Sequence, residues 1–287
     1  MFQKKEEFMR KNLPYILIII IFLAGAGIFL YPAAANFLYQ QNGSKVIMSH
    51  EETIEKMSPE EIAAETDAVR RYNKSLTDNA VVLTDPFDPD ALPITDGDYD
   101  KLLAHDDIMA FVEVPSIDVK LPVFHGTGED VLEKGAGHLE NTSLPMGGKD
   151  THTVISAHSG LPSARLFTDL TSVKEGEIFK IHVLDKVLYY EVYDIDAVLP
   201  EDTSSLMIEK GRDLATLVTC TPYGKNTHRL LVHGERTHKP DETAVHNGGG
   251  HPSMNWEKAA RAVAGVLAGV FLLLILGGLF RRRKQKD

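Results

Sequence analysis

The only cysteine of the chain, Cys220, is the side chain best suited to covalent chemistry. It follows the apolar run Leu214–Thr219, which is typical of a strand, and it precedes the turn-forming residues Pro222 and Gly224. A thiol where a strand meets a loop is partly accessible, as a nucleophile must be. Because lone cysteines also serve as buried packing residues, the thiol by itself leaves both roles open.

Arg229 opens the next apolar run, nine residues after Cys220. If the two runs pair as a hairpin, Arg229 and Cys220 are neighbours across it. A guanidinium there could lower the pKa of the thiol or hold an oxyanion. An arginine at a strand end is more often simply solvated, so the pair alone does not establish a catalytic site.

His158 is the best candidate for a general base, because it too sits where a predicted core strand meets a loop. A histidine beside a cysteine is the usual arrangement for thiol acyl transfer. His125, His138 and His228 compete for the role but have no comparable setting. No spacing of His, Cys, Asp or Glu matches a zinc motif, so the sequence predicts neither metal nor cofactor.

Short runs of β-branched and aromatic residues, separated by turn residues, extend from Met109 to about Arg236. The predicted strands are Ala110–Val114, Val119–Phe124, Thr153–Ser156, Ile178–Val183, Val187–Val192, Ala215–Cys220 and Leu230–Val232. Helical insertions fit at Gly128–Lys134 and Ala164–Leu170. Many short strands with little helix indicate a mainly β, antiparallel-rich barrel or sandwich.

An amphipathic helix is predicted before the strands. Ser58 is a suitable cap, Pro59 suits the first helical position, and apolar residues continue at helical spacing to about Lys74. The polar residues 36–57 could extend the preceding helix. A loop rich in proline and aspartate, Thr84–Asp90, follows.

Both ends of the chain carry an apolar segment long enough to span a membrane, which takes about 17–25 residues. Lysines and arginines precede residues 15–31 and follow residues 262–280, which places both termini in the cytoplasm and the middle outside. Ala33–Ala35 also fits a signal-peptidase site, so cleavage after Ala35 stays open. The C-terminal span anchors the chain in either case.

The composition narrows the class of protein further. The chain has 287 residues, of which 43% are hydrophobic, enough to bury a core. Its net charge of −11 argues against a nucleic-acid partner, since phosphate contacts need a basic face. A folded, acidic, membrane-tethered domain is the expectation.

Several motifs together resemble those of one family, the sortases. Thr216–Gly224, TLVTCTPYG, with Thr227–Leu230, THRL, resembles their active-site strand and loop. Thr153–Pro162, TVISAHSGLP, resembles the catalytic-histidine segment, and Gly135–Leu139 followed by Ser143–Pro145 is also similar. The resemblance covers about residues 80–236. It implies an eight-stranded sortase-type β-barrel with short helices, flanked in this chain by two transmembrane helices, and catalysis by Cys220, His158 and Arg229.

Two features resemble class C, the pilus sortases. Asp85-Pro86-Phe87 matches their lid motif, and a second membrane span is typical of them. The resemblance implies that Asp85 pairs with Arg229 and that Phe87 covers Cys220. Outside this context, Asp-Pro-Phe would indicate only an Asx turn with an anchoring aromatic ring. The family often carries a basic residue where this chain has Ser159, which concerns loop contacts and not catalysis.

The activity implied is that of a cysteine transpeptidase. It would cleave an LPxTG-type signal of a pilin between Thr and Gly and join the acyl group to a lysine of another pilin. Thr219, Leu144 and Pro145 are the expected substrate-binding residues. The alternatives are a housekeeping or accessory sortase that attaches proteins to the cell-wall precursor, and a scaffold that has lost turnover.

The sequence predicts eight consecutive parts along the chain. They are a cytoplasmic N-terminus (1–14), a membrane helix (15–31), an extracytoplasmic helical segment (32–79), a lid loop (80–95), the catalytic barrel (96–238), a flexible stalk (239–261), a second membrane helix (262–280) and a basic cytoplasmic tail (281–287).

Overall fold

The structure is a computed structural model that describes residues 2–78, 82–88, 98–161 and 163–239, together with Gly265 and Gly269. Those two glycines are helical. The rest of the predicted second membrane span, the stalk beyond residue 239, the basic tail and the lid-loop residues on either side of 82–88 lie outside the described residues.

Two long helices begin the chain. Helix α1 covers Phe2–Glu55 and α2 covers Pro59–Asp78. The stretch Leu17–Glu55 is long and apolar enough to contain a membrane span. Chain contacts divide α1 after Ala34, and Ala35–His251 forms a compact unit of its own.

Eight strands form a closed barrel in the order β1-β2-β3-β4-β7-β8-β6-β5. The strands are β1 Ala110–Val114, β2 Val119–His125, β3 Ala136–His138, β4 Thr151–Ser156, β5 Ile178–Val183, β6 Lys186–Val198, β7 Asp213–Thr221 and β8 His228–Thr237. All pairings are antiparallel except β2 with β3 and β4 with β7. The predicted mainly β, antiparallel-rich barrel is confirmed.

Strand β3 was not predicted from the sequence. It has only three residues, Ala-Gly-His, and none of them favours a strand by itself. Gly137 at its centre lies so close to β2 that a Cβ would be 2.2 Å from the carbonyl oxygen of Gly126. Close approach between backbones therefore defines this strand, and composition does not reveal it.

The helical predictions within the barrel are partly confirmed. The first insertion contains a single turn, α3, at Glu129–Leu132. The second prediction, Ala164–Leu170, holds only for its last three residues: the segment forms a turn and then a 3₁₀ helix at Thr168–Ser172. Phe167 and Leu170 are fully buried there, so their apolar spacing reflects anchoring in the core and not an α-helix.

The helix predicted before the strands is present and packs on the barrel. The Ser58 hydroxyl accepts a hydrogen bond from the Glu61 amide, and the Glu61 carboxylate accepts one from the Ser58 amide, which is a reciprocal cap. Val69 on α2 is fully buried in the main core. The side chain of Asn73 pairs with both backbone groups of Leu144, at 2.8 and 3.0 Å.

The outer half of α1 continues the first helix to Glu55, as the sequence predicts, and also contacts the barrel. The Tyr39 hydroxyl donates to the Lys134 carbonyl at 2.6 Å, and Nδ1 of His50 lies 2.9 Å from the carbonyl oxygen of His105. Ile47 is buried in a small apolar cluster with Phe111. Residues 35–55 are therefore part of the barrel unit.

Candidate active site

Cys220 and Arg229 lie directly opposite each other on the β7–β8 hairpin. The expectation that these two residues are neighbours across a hairpin is thus confirmed. Both are largely buried, with Cys220 8% and Arg229 9% exposed.

The hydrogen-bond pattern of the sheet shows which kind of pair they form. The Val218 carbonyl accepts from the Ala157 amide, so the backbone groups of Val218 point toward the β4 side. The direction of the backbone N–H and C=O groups alternates from residue to residue along a strand. The backbone groups of Cys220 therefore point toward β4, as those of Val218 do, and not toward β8. Cys220 and Arg229 are therefore a non-hydrogen-bonded pair, the kind whose side chains approach most closely, with Cα atoms typically about 4.5 Å apart.

His158 lies just past the end of β4, the parallel neighbour of β7. The register pairs Ser156 with Val218. When this register is extended by two residues along each strand, His158 lies beside Cys220, with both side chains on the same face of the sheet. The thiol, the imidazole and the guanidinium thus converge from three neighbouring segments at one corner of the barrel.

The segment containing Asp85 and Phe87 lies against this corner. The Asp85 carboxylate accepts hydrogen bonds from Nε and Nη2 of Arg229 at 2.7 and 2.5 Å. The Phe87 ring lies 5.1 Å from the Arg229 guanidinium and 5.7 Å from the His158 ring. The predicted ion pair is present, while a direct contact of Phe87 with Cys220 stays a prediction.

A small apolar cluster underlies the Phe87 ring on the outer face of the barrel. Phe87 and Leu83 pack against residues from β4, β7, β8 and the loops beside them, namely Leu139, Val154, Leu206, Val218 and Leu231. Sequence reasoning did not identify this cluster. Alternation along the strands could have revealed it, since Val154 and Val218 share the face of His158 and Cys220.

Burial dominates the electrostatics of the thiol. Desolvation raises the pKa of Cys220, the Arg229 charge lowers it, and the Asp85 charge raises it again. The expectation of a partly accessible thiol was wrong for this structure, in which only 8% of Cys220 is exposed. The guanidinium acts in the expected direction but does not overcome burial and Asp85.

His158 has a pKa below its usual range. Desolvation lowers the pKa of its half-buried ring, and the acidic residues Glu129 and Glu133 act in the opposite direction. A neutral imidazole can accept a proton, which is what a general base must do.

The competing histidines have structural partners. His138 is fully buried between the Tyr99 hydroxyl and the Ser143 carbonyl, and burial lowers its pKa to about 4. Nε2 of His125 lies 2.7 Å from the Leu102 carbonyl oxygen. His228 lies beside its neighbour Thr227 at the start of β8.

The predicted substrate-binding residues are buried, Thr219 on β7 and Leu144 and Pro145 in the segment that connects β3 to β4. The Thr219 hydroxyl donates to the Ala157 carbonyl at 2.7 Å, and the Thr219 side chain is fully buried. Leu144 is fully buried and its backbone is held by Asn73, while Pro145 is also buried. The structure does not bring these side chains to an open groove, so their contact with substrate stays a prediction that the geometry disfavours.

The loop that carries His158 depends on a glycine. Gly160 has a φ of +82°, and a Cβ there would lie 2.7 Å from Cε2 of Tyr223, in the β7–β8 loop. The Ser159 hydroxyl donates to the Cys220 carbonyl at 2.7 Å, a contact that sequence reasoning missed. No cluster of three or more potential metal ligands occurs among the residues that the structure describes.

Comparison with known proteins identifies relatives of this architecture. Residues 112–237 match the model of the sortase domain. Sortase A of Streptococcus agalactiae serotype III (strain NEM316) is 28% identical over 228 residues, which are 77% of this chain and 83% of that protein.

Solved structures give higher identities. Sortase C of Streptococcus pneumoniae is 43% identical, with a TM-score of 0.63 over 68% of this chain and 97% of the other. A pilus-related sortase C of group B Streptococcus is also 43% identical, with a TM-score of 0.63 over 67% and 96%. Sortase C-1 of Actinomyces oris is 45% identical, with a TM-score of 0.60 over 63% and 100%.

Proposed function

This chain belongs to the sortase family of cysteine transpeptidases, with class C enzymes as its structural neighbours, and from that premise we propose that it polymerises pilin subunits. Its substrate is an LPxTG-type sorting signal, cut between Thr and Gly. The acyl group passes to a lysine amine of another pilin. The observation that carries the proposal is the convergence of Cys220, Arg229 and His158 on one corner of the barrel.

Each of these side chains has a role that its position suits. Cys220 is the nucleophile, because a thiolate attacks carbonyl carbons readily and leaves again as a good leaving group. Arg229 holds the oxyanion, since its side chain shares the face of Cys220 in the closest type of cross-strand pair. His158 transfers the protons, since it lies just past the end of β4, the parallel neighbour of β7.

The first half-reaction forms a thioester. His158 takes the proton of the Cys220 thiol, and the thiolate so formed attacks the Thr carbonyl carbon. The Arg229 guanidinium holds the resulting oxyanion. The Thr–Gly bond then breaks, and the leaving glycine amine takes a proton from His158. The enzyme retains the acyl group on sulfur.

The second half-reaction transfers that acyl group. A lysine ε-amine attacks the thioester carbonyl, a C–N bond forms, and the C–S bond breaks to return the thiolate. His158 accepts the proton that the amine loses. Water is a competing nucleophile, and a covered, largely buried thiol such as Cys220 limits its access.

Two observations favour pilins over other substrates. The Asp85 carboxylate is paired with Arg229, so the segment with the class C lid sequence lies at the corner that would bind the signal. Similar solved enzymes include a pilus-related sortase C at 43% identity. In the proposal, Asp85, Pro86 and Phe87 form a lid that must move before a signal can reach Cys220.

Membrane attachment suits this activity. The apolar helix within Leu17–Glu55 is long enough to anchor the chain. An enzyme tethered beside membrane-bound pilin precursors meets them at a high effective concentration. We propose that the catalytic barrel lies outside the cell and that both termini are cytoplasmic.

The first test is intact-mass spectrometry of the full chain in detergent micelles with an LPxTG-type peptide. The double variant Asp85→Ala, Phe87→Ala is run beside the unmodified chain. We expect an adduct with the mass of the peptide cleaved after threonine, formed faster in the double variant. The matched control, Cys220→Ala in the same background, forms none.

The acceptor is tested with the same preparation. A pilin-like protein that carries both a sorting signal and an acceptor lysine should give a ladder of covalent polymers. Attachment to the amine of a cell-wall precursor without polymers would support the housekeeping alternative. Folded protein that forms no adduct with any signal variant would overturn the proposed transpeptidation.

A further inference from the structure

The hydrogen-bond ladder between β4 and β7 continues past the end of β4 by means of side chains. Its last backbone bond in this direction runs from the Ala157 amide to the Val218 carbonyl at 3.1 Å. In an ideal parallel ladder the next donor to β7 would be the backbone amide of Ser159, and its acceptor the Cys220 carbonyl. The Ser159 hydroxyl donates to that carbonyl instead, at 2.7 Å.

A second side-chain hydrogen bond runs in the opposite direction, from β7 to the segment that follows β4. Thr219, on β7, donates through Oγ1 to the Ala157 carbonyl at 2.7 Å. Residues Ala157 and Ser159, on either side of His158, are thus each bound to the strand that carries Cys220. The imidazole is held in register with the thiol although its own strand has ended.

Other hydrogen bonds of this loop serve a different purpose. The Phe167 amide donates to the His158 carbonyl at 3.1 Å, and the Gly160 amide donates to the Thr168 hydroxyl at 3.0 Å. Both hydrogen bonds connect the loop to residues that follow it in sequence. The Ser159 bond holds it to the nucleophile's backbone.

We propose that Ser159 is a positioning residue for acyl transfer, which holds the Cys220 backbone and the His158 loop at a set distance from each other. This inference rests on the proposed function. Ser159 acts through its two neighbours and takes no part in bond making. Because acyl transfer depends on the mutual placement of nucleophile and base, loosening this link slows the chemical step more than it weakens substrate binding.

The kinetic test uses the full chain in detergent micelles with the lid opened by Asp85→Ala and Phe87→Ala. Ser159→Ala should lower kcat for acylation by about tenfold with KM nearly unchanged. Ser159→Thr retains a hydroxyl and should restore most of the rate. Thr168→Val removes a hydroxyl from the same loop but not from Cys220, and should cost less than Ser159→Ala.

Equal losses in Ser159→Ala and Thr168→Val would mean that general loop order matters and would overturn the proposal. A raised KM with unchanged kcat, or no restoration by threonine, would overturn it as well. These outcomes are read against the parent chain with Asp85→Ala and Phe87→Ala. If that parent forms no adduct with any signal variant, the proposed function fails, and the Ser159 inference is then decided by the second measurement.

The second measurement is alkylation of the single cysteine by iodoacetamide across pH, which needs no peptide substrate. Ser159→Ala should raise the pH midpoint of alkylation, because the thiol loses its set distance from the His158 ring, which accepts its proton. Ser159→Thr and Thr168→Val should retain the midpoint of the parent chain. An unchanged midpoint in Ser159→Ala would contradict positioning of the thiol by Ser159.

Discussion

At the residue scale, the charge balance around one thiol is the main feature of this protein. Cys220 faces an arginine that would favour its thiolate, but that arginine is paired with Asp85 in the described structure. Burial and the Asp85 charge both raise the pKa of Cys220, while Arg229 lowers it. The net effect is a pKa of the Cys220 thiol above its ordinary value.

Asp85→Asn should lower the pKa of Cys220. The substitution removes a negative charge that disfavours the thiolate and leaves the Arg229 guanidinium free to favour it. A fall of one pH unit would raise the thiolate fraction about tenfold below the midpoint. The measurement is the pH dependence of alkylation of the full chain, which has a single cysteine.

Asp85→Glu is the matched control, since it keeps the charge and should keep a midpoint near that of the unmodified chain. A midpoint in Asp85→Asn that stays the same or rises would show that Asp85 does not act on the thiol through its charge.

At the scale of elements, the site depends on strands that are neighbours in the sheet but not consecutive in sequence. His158 follows β4 and Cys220 is the last residue but one of β7, and these strands are parallel neighbours separated in sequence by β5 and β6. Arg229 comes from the hairpin partner β8. Helix α2 supports the segment that connects β3 to β4, where Asn73 holds both backbone groups of Leu144.

Asn73→Ala should destabilise the barrel. It leaves the Leu144 amide buried without its partner and removes one of the two hydrogen bonds to the Leu144 carbonyl, which still accepts from the Met146 amide, at a cost of about 2 kcal/mol. For a domain of this size, that corresponds to a fall in Tm of about 4–8 °C. Thermal unfolding of the full chain in detergent, followed by circular dichroism, measures it.

The control for this substitution lies on the same helix. Arg71 is exposed, and Arg71→Ala should change stability by less than about 0.5 kcal/mol. Equal Tm values for Asn73→Ala and Arg71→Ala would show that the contact of α2 with Leu144 contributes nothing to stability.

At the scale of the whole molecule, the proposed topology places the barrel outside the cell and the termini inside. The basic residues that flank residues 15–31 and 262–280 support this orientation. We expect Gln3→Cys and Gln285→Cys, each in a Cys220→Ala background, to resist a membrane-impermeant maleimide in intact cells. Glu201→Cys, at an exposed barrel position, should react.

Permeabilised cells provide the control, in which all three variants should react. Labelling of Gln285→Cys in intact cells would contradict a cytoplasmic C-terminus. Loss of the Gln3→Cys label together with a shorter mature chain would indicate cleavage after Ala35.

The strands and the reactive residues could largely be predicted from the sequence. Runs of β-branched and aromatic residues bounded by turn residues identify β1 and β5 to the residue. Cys220, His158 and Arg229 stand where strands meet loops, and their types suit acyl transfer. The family motifs then selected the barrel over a sandwich.

Tertiary structure decided the features that depend on contacts distant in sequence. The three-residue β3 exists because Gly137 allows close approach to the β2 edge, which no local preference encodes. Burial raises the pKa of the Cys220 thiol, and the Asp85 charge, which raises it further, comes from a segment far upstream in the chain. The Ser159 link to Cys220 arises only where β4 ends beside β7, since a register between non-consecutive strands is set by packing of the whole barrel.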